Sequence, residues 1–164
     1  MVKYLVFIFL AFLFISPDQS SETDVQVAMI YNFMKYTHWP NQGTEFTVAV
    51  YGNNDVYTLL SQRYNDKNNG AGVRLKIKNV TDVAELETAQ VVYIGKSKDF
   101  DKIMTVVANK PILTITYSDN LGRRGSCINM KLVGDRMKFE INQKSVDAAG
   151  LKISNQLTSI AILI

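Results

Sequence analysis

Two periods of apolar and polar positions run through this 164-residue chain, and the switches between them mark its elements. Over residues 24–35 a narrow polar or small stripe falls at Asp24, Ala28, Asn32 and Lys35, the spacing of one helix face. Nearly every other direction is apolar: Val25, Val27, Met29, Ile30, Tyr31, Phe33, Met34 and Tyr36. Such a helix is buried on more than one side or is shared with a partner, and the pattern alone leaves both open. It leads into Thr37-His38-Trp39-Pro40, which holds the chain's only His and only Trp.

Beyond Pro40 the period changes repeatedly. Residues 46–51 predict a strand ending at Gly52. Asn54–Tyr64 predicts a helix, with Asn54 as its cap and Val56, Leu59, Leu60 and Tyr64 at helical spacing. After a polar loop, Val73, Leu75 and Ile77 alternate with Arg74, Lys76 and Lys78, which predicts a strand with one wet face at a sheet edge. Residues 81–88 predict a short helical turn and Val91–Ile94 a fully apolar strand. A helix over 97–108, capped by Ser97, carries Phe100, Ile103, Met104 and Val107 on one face, and 111–117 is another buried strand. This β-α-β-α-β-α-β order implies parallel strands with helical crossovers. Strands over 126–132 and Arg136–Ile141 flank Val133-Gly134-Asp135, a hairpin signal. Asn142 caps a helix over 143–149 that Gly150 stops. Residues 151–153 are extended, and Ser154 caps a last helix carrying Leu157, Ile160 and Ala161. The expected fold is α/β: a mixed sheet of about six strands, parallel βαβ units followed by an antiparallel hairpin, with helices on both faces. The apolar end Ile162-Leu163-Ile164 has to dock onto the body.

The N-terminus reads differently. Met1-Val2-Lys3 is followed by twelve apolar residues, Tyr4 to Ile15, and then by polar and small residues. That is the layout of a secretory signal peptide over 1–20, and the apolar run falls short of a membrane span of about 20 residues. The remaining 21–164 form one domain-sized α/β unit of 47% apolar and 20% charged composition, globular in class. The net charge of +3 comes without basic clustering beyond Arg123-Arg124, which argues against nucleic acid.

Chemistry is sparse. One His and one Cys cannot supply a zinc site, and no cofactor motif is present. Cys127 reads as a small apolar filler, with a reactive or intermolecular thiol as the alternative. Gly95-Lys96-Ser97 lacks the upstream glycine of a phosphate loop, because Gln90 occupies that position. Ser126 lies outside any nucleophile elbow. Asp99/Asp101 and Glu85/Glu87 read as solvated carboxylates. Residues 118–125 follow a buried strand at its carboxyl end, where α/β sheets tend to bind ligands. Asp119, Arg123 and Arg124 there are the candidate ligand or partner contacts, the arginines being suited to an anion or carboxylate.

Two blocks together carry a family resemblance. The first is Tyr31-Asn32-Phe33 through Trp39-Pro40. The second is Phe139-Glu140-Ile141-Asn142 followed by Ala149-Gly150-Leu151-Lys152-Ile153-Ser154. With the leader and the βα units between them, the chain resembles the YfiR family of periplasmic regulators. The resemblance implies a non-enzymatic, homodimeric protein that docks on the extracytoplasmic domain of a membrane-bound diguanylate cyclase and represses it, lowering cyclic di-GMP and biofilm formation. It also implies release by an outer-membrane lipoprotein. A sensor histidine kinase as partner, or a small-molecule sensor role, is the alternative. Tyr31, Asn32, Phe33, Trp39, Pro40, Phe139, Ile141, Asn142, Gly150, Leu151 and Ser154 are then signature positions expected to be structural. Several members pair cysteines in disulfides; Cys127 stands alone here, so that control does not carry over. Many also have Gly-Gly where this chain has Gly125-Ser126.

Overall fold

The apolar surplus of the first helix is explained by two neighbours. In the computed structural model, which describes residues 22–41, 43–68 and 72–164, α1 spans Glu22–Lys35. The proposed leader lies outside the described residues. Val27, Ile30, Phe33 and Met34 face the sheet and are buried, while Ala28, Asn32 and Lys35 are exposed. A second flank meets α2 (Asn54–Tyr64): the Tyr31 and Tyr64 rings stack with centroids 4.3 Å apart, and Arg63 pairs with Asp24. α1 ends where the Thr37 hydroxyl donates to the Phe33 carbonyl at 2.7 Å and the chain turns extended toward Pro40.

The main sheet has the order β3-β2-β4-β5-β6-β7-β9. Its strands are β2 (Glu45–Tyr51), β3 (Arg74–Val80), β4 (Val91–Ile94), β5 (Leu113–Tyr117), β6 (Ile128–Val133), β7 (Arg136–Ile141) and β9 (Ile162–Leu163). β3 through β6 are parallel, β6–β7 is the antiparallel hairpin, and β9 lies parallel to β7. β3 takes the edge, as its half-wet alternation requires. The sheet has seven strands where about six are expected, because the apolar C-terminal end docks as β9. A separate ribbon pairs β1 (Thr37–His38) with β8 (Lys152–Ile153).

Two apolar layers sandwich the sheet. On one side Val48, Val50, Tyr93, Ile115, Met130 and Ile141 pack under α1, α2, α4 (Gln143–Ala148) and α5 (Asn155–Thr158). On the other, Ala49, Val92 and Ile94 meet Leu86 of a 3-10 turn and Phe100, Ile103 and Val107 of α3 (Phe100–Val107). Each such large side chain contributes about 1.5–3 kcal/mol on full burial.

Local expectations shift at several ends. The α2 cap is Asn53 rather than Asn54: its side chain accepts from the Val56 N–H at 3.1 Å. Ser97 is not a cap for α3, since Ser97–Asp99 form a 3-10 turn and α3 starts at Phe100. β6 begins at Ile128, two residues late, because Ser126 and Cys127 bond to Thr114 before the ladder starts. α5 stops after four residues, leaving Ile160 in the turn beyond it. Asn142 and Ser154 do cap α4 and α5, accepting from the Ser145 and Gln156 N–H at 3.1 Å each. Gly150 takes φ +66°, the left-handed position a helix stop needs.

Candidate functional site

The loop after β5 is packed down. Leu121 and Gly122 are buried, and the Ser126 and Gly125 N–H groups donate back to Leu121 and Gly122 at 3.1 and 3.2 Å. The Asn142 side chain donates to the Gly122 carbonyl at 2.9 Å. A Cβ on Gly122 would stand 2.8 Å from Glu140 Oε2, so only glycine lets the loop approach this closely. The three candidate contacts diverge along it. Arg124 pairs with Asp101 of α3 at 2.7 Å, and its guanidinium lies 5.1 Å from the Phe100 ring centroid. Arg123 is exposed, and its charge reaches Glu140. Asp119 is exposed near Tyr117, whose hydroxyl is pushed up to about 12 by burial first, then by its hydrogen bond to Glu22, with Asp119 adding a smaller push.

A larger opening lies across the molecule, between α1 and α5. It is a cavity of about 470 Å³ lined by Met29, Asn32, Phe33, Tyr36, Phe139, Gln156, Leu157 and Ile160. Phe33 and Phe139 meet at 4.9 Å and form its floor with Leu157. The β1–β8 ribbon ties its walls: Thr37 pairs with Ile153, and the Ser154 N–H donates to the Tyr36 carbonyl at 2.9 Å. Sequence reading placed no site here, although the over-apolar α1 was its signal. At the mouth Ile160 is 69% exposed, and Ile162 and Leu163 of β9 are 40% and 60% exposed. Leu132 and Val133 at the β6–β7 tip are also exposed, so the large exposed apolar side chains of the described residues gather on the hairpin and the C-terminal segment.

A smaller polar cavity of about 280 Å³ opens at the carboxyl ends of β2 and β3, lined by Tyr51, Gly52, Asn54, Asn79, Val80, Thr81 and Lys96. No group of three or more His, Cys, Asp or Glu among the described residues is arranged to hold a metal.

Comparison with known families decides the kinship. The sequence profile of DUF4154, described as YfiR/HmsC-like, matches residues 23–162. The chain belongs to the YfiR/HmsC-like family. No curated protein matches the sequence. Among solved structures, the ABC domain in complex with L-Trp from Streptococcus pneumonia is similar, with a TM-score of 0.52 at 11% identity. The alignment covers 87% of this chain and 60% of that one, and at such identity the likeness concerns the fold alone.

In this YfiR/HmsC-like protein the two signature blocks meet in space. Phe33 touches Phe139, and the β1–β8 ribbon joins the exit of α1 to the Leu151–Ser154 stretch. Ile141 and Leu151 are buried; Pro40 is exposed. Trp39 packs edge-on against Phe46 at 4.7 Å, and its indole N–H donates to the Gln90 carbonyl at 3.3 Å. Within the second block sits Glu140, which sequence reading left without a role. It is 3% exposed, bonded to Lys131 and, at 3.1 Å, to Asn129. Asn129 in turn accepts from Thr116 at 2.7 Å and Ser118 at 3.0 Å. Burial raises the Glu140 carboxyl, but these hydrogen bonds and the charges of Lys131 and Arg123 outweigh it and hold the group below its ordinary value.

Proposed function

We propose that this protein is an exported, non-catalytic regulator that docks on the extracytoplasmic domain of a membrane-bound diguanylate cyclase and holds it inactive. Family membership over residues 23–162 carries the reading. The two sheet edges support it. β3 is guarded by Arg74, Lys76 and Lys78, the usual defence against unwanted pairing, whereas the terminal strand at the other edge, β9, exposes apolar Ile162 and Leu163. An apolar edge beside an apolar groove suits protein contact better than turnover of a small substrate. Removal of the 1–20 leader, homodimer formation and release by an outer-membrane lipoprotein belong to the same proposal, as does the surface role of Asp119, Arg123 and Arg124. The test is co-purification of the full chain with a membrane diguanylate cyclase together with inhibition of that cyclase. Failure of both retires the reading.

The polar cavity near Lys96 favours a second reading, a periplasmic sensor of a small polar ligand. Thermal-shift screening with amino acids and organic acids tests it. A stabilised hit that Lys96→Ala abolishes supports it, and the absence of any stabilised hit retires it.

A further inference from the structure

We infer that the β6–β7 hairpin seats on an anionic phospholipid surface, its Leu132-Val133 tip entering the interface and the basic sheet face behind it lying against the lipid phosphates. That face is opposite the α1–α5 groove, and its contact needs no cyclase. The hairpin register fixes which side chains share it. Asn129 stands opposite Glu140, Lys131 opposite Lys138 and Val133 opposite Arg136, all on the side of the sheet that carries Ile94 and Thr116. The alternate positions, Met130 with Phe139 and Leu132 with Met137, turn to the α1 side. On the α3 side the apolar layer contains no residue of β6, β7 or β9.

The strip is polar instead and ends in charge. Arg136 and Lys138 are exposed and in no ion pair among the described residues. Lys131 leans back onto Glu140, and the exposed Arg123 is near enough to act on the same carboxylate. Glu140 is buried and engaged, and Asp135 in the turn is the only carboxylate among residues 128–139. Two lysines directly opposite each other weaken a hairpin, a cost that an external anion relieves. At the tip Leu132 and Val133 are 48% and 49% exposed, and residues 132–136 are exposed throughout. Apolar side chains on a projecting turn, bracketed by Lys131, Arg136 and Lys138, combine the two contributions to peripheral membrane binding: apolar area among the acyl chains and cations at the headgroups.

An acidic protein would satisfy the cations but not the tip. Protein contacts rest on aromatic or Arg anchors seated in pockets; this tip has no aromatic residue, and the cavities described above take no residue from 131–138. A second copy related by a two-fold axis would bring Arg123, Lys131, Arg136 and Lys138 against their own counterparts.

The experiment is co-sedimentation of the full chain with vesicles of phosphatidylcholine alone and of phosphatidylcholine mixed with phosphatidylglycerol. Wild type is compared with Val133→Asp, Arg136→Gln and Lys138→Gln, and with Lys78→Gln on β3 as control; thermal melts verify folding. The apolar run at 4–15 is common to all of these proteins, so the differences between proteins and between vesicles are read. Wild type is expected to prefer the anionic vesicles, less so as salt rises. Val133→Asp should weaken that binding about tenfold, each neutralised cation about fivefold, and Lys78→Gln not at all. Equal binding to the two vesicle types, or wild-type binding by all three hairpin variants, overturns the inference. Binding to polyglutamate that the hairpin variants lose, with no preference for anionic vesicles, assigns the face to an acidic protein and overturns it too. So does a homodimer that Val133→Asp dissociates, which assigns the face to a second copy.

Discussion

Glu140 shows how a single residue can mislead a pattern reading. In the strand Arg136–Ile141 it falls on the same face as Lys138 and Arg136, which reads as a wet face. It is buried because the loop after β5 folds over it, and that contact depends on Gly122, eighteen residues away and invisible to local period. Its folded-state value lies below that of the unfolded chain, so acidification protonates the unfolded state first. The stabilisation is complete above the ordinary value of about 4.5 and is lost as pH falls through the depressed folded value. Glu140→Gln should therefore flatten the acid limb of a stability-versus-pH curve. Lys131→Ala, which leaves a buried carboxylate without its cation, should cost about 3 kcal/mol in urea denaturation at pH 7. Cys127 is 3% exposed, and burial pushes its thiol up, partly opposed by hydrogen bonds to Thr114. Thiol reagents should label the native protein at least about tenfold more slowly than the urea-unfolded chain.

At the level of elements, sequence was most informative where the signal is local. Alternation located β3, the Val133-Gly134-Asp135 turn located β7, and the caps at Asn142, Ser154 and Gly150 stand where side-chain chemistry places them. It failed where a partner distant in sequence decides. β9 is a strand only because β7 offers it an edge, and β1 and β8 exist only as each other's neighbour. The α2 cap slipped by one residue because Asn53 and Asn54 offer the same group. Gly150 connects α4 to the ribbon that fixes the groove walls, so its conformation has wider reach. Gly150→Ala should destabilise the protein by about 1–2 kcal/mol by thermal or chemical melting, and Gly150→Asn by less. If alanine is neutral there, the left-handed stop does not hold the ribbon in place.

For the molecule as a whole, the fold class was legible, but the strand order was not. Parallel strands share no turn that fixes their neighbours, so although alternation puts β3 at an edge, nothing local says that β2 is its neighbour or that β6 follows β5. The candidate site was legible only in part. Asp119, Arg123 and Arg124 are near one another in sequence yet turn toward different neighbours. The groove, by contrast, is assembled from residues 29–36, 139 and 156–160, which only the folded ribbon brings together. The over-apolar α1 is satisfied on two sides and still contributes Met29 and Tyr36 to an open surface, so burial does not use up the helix. The decisive measurement is cyclic di-GMP synthesis by the membrane-embedded cyclase with the full chain added on its extracytoplasmic side. Synthesis should fall in proportion to occupancy, and Ile160→Asp should restore it. Unchanged synthesis at saturating, demonstrably bound protein would contradict regulation by docking.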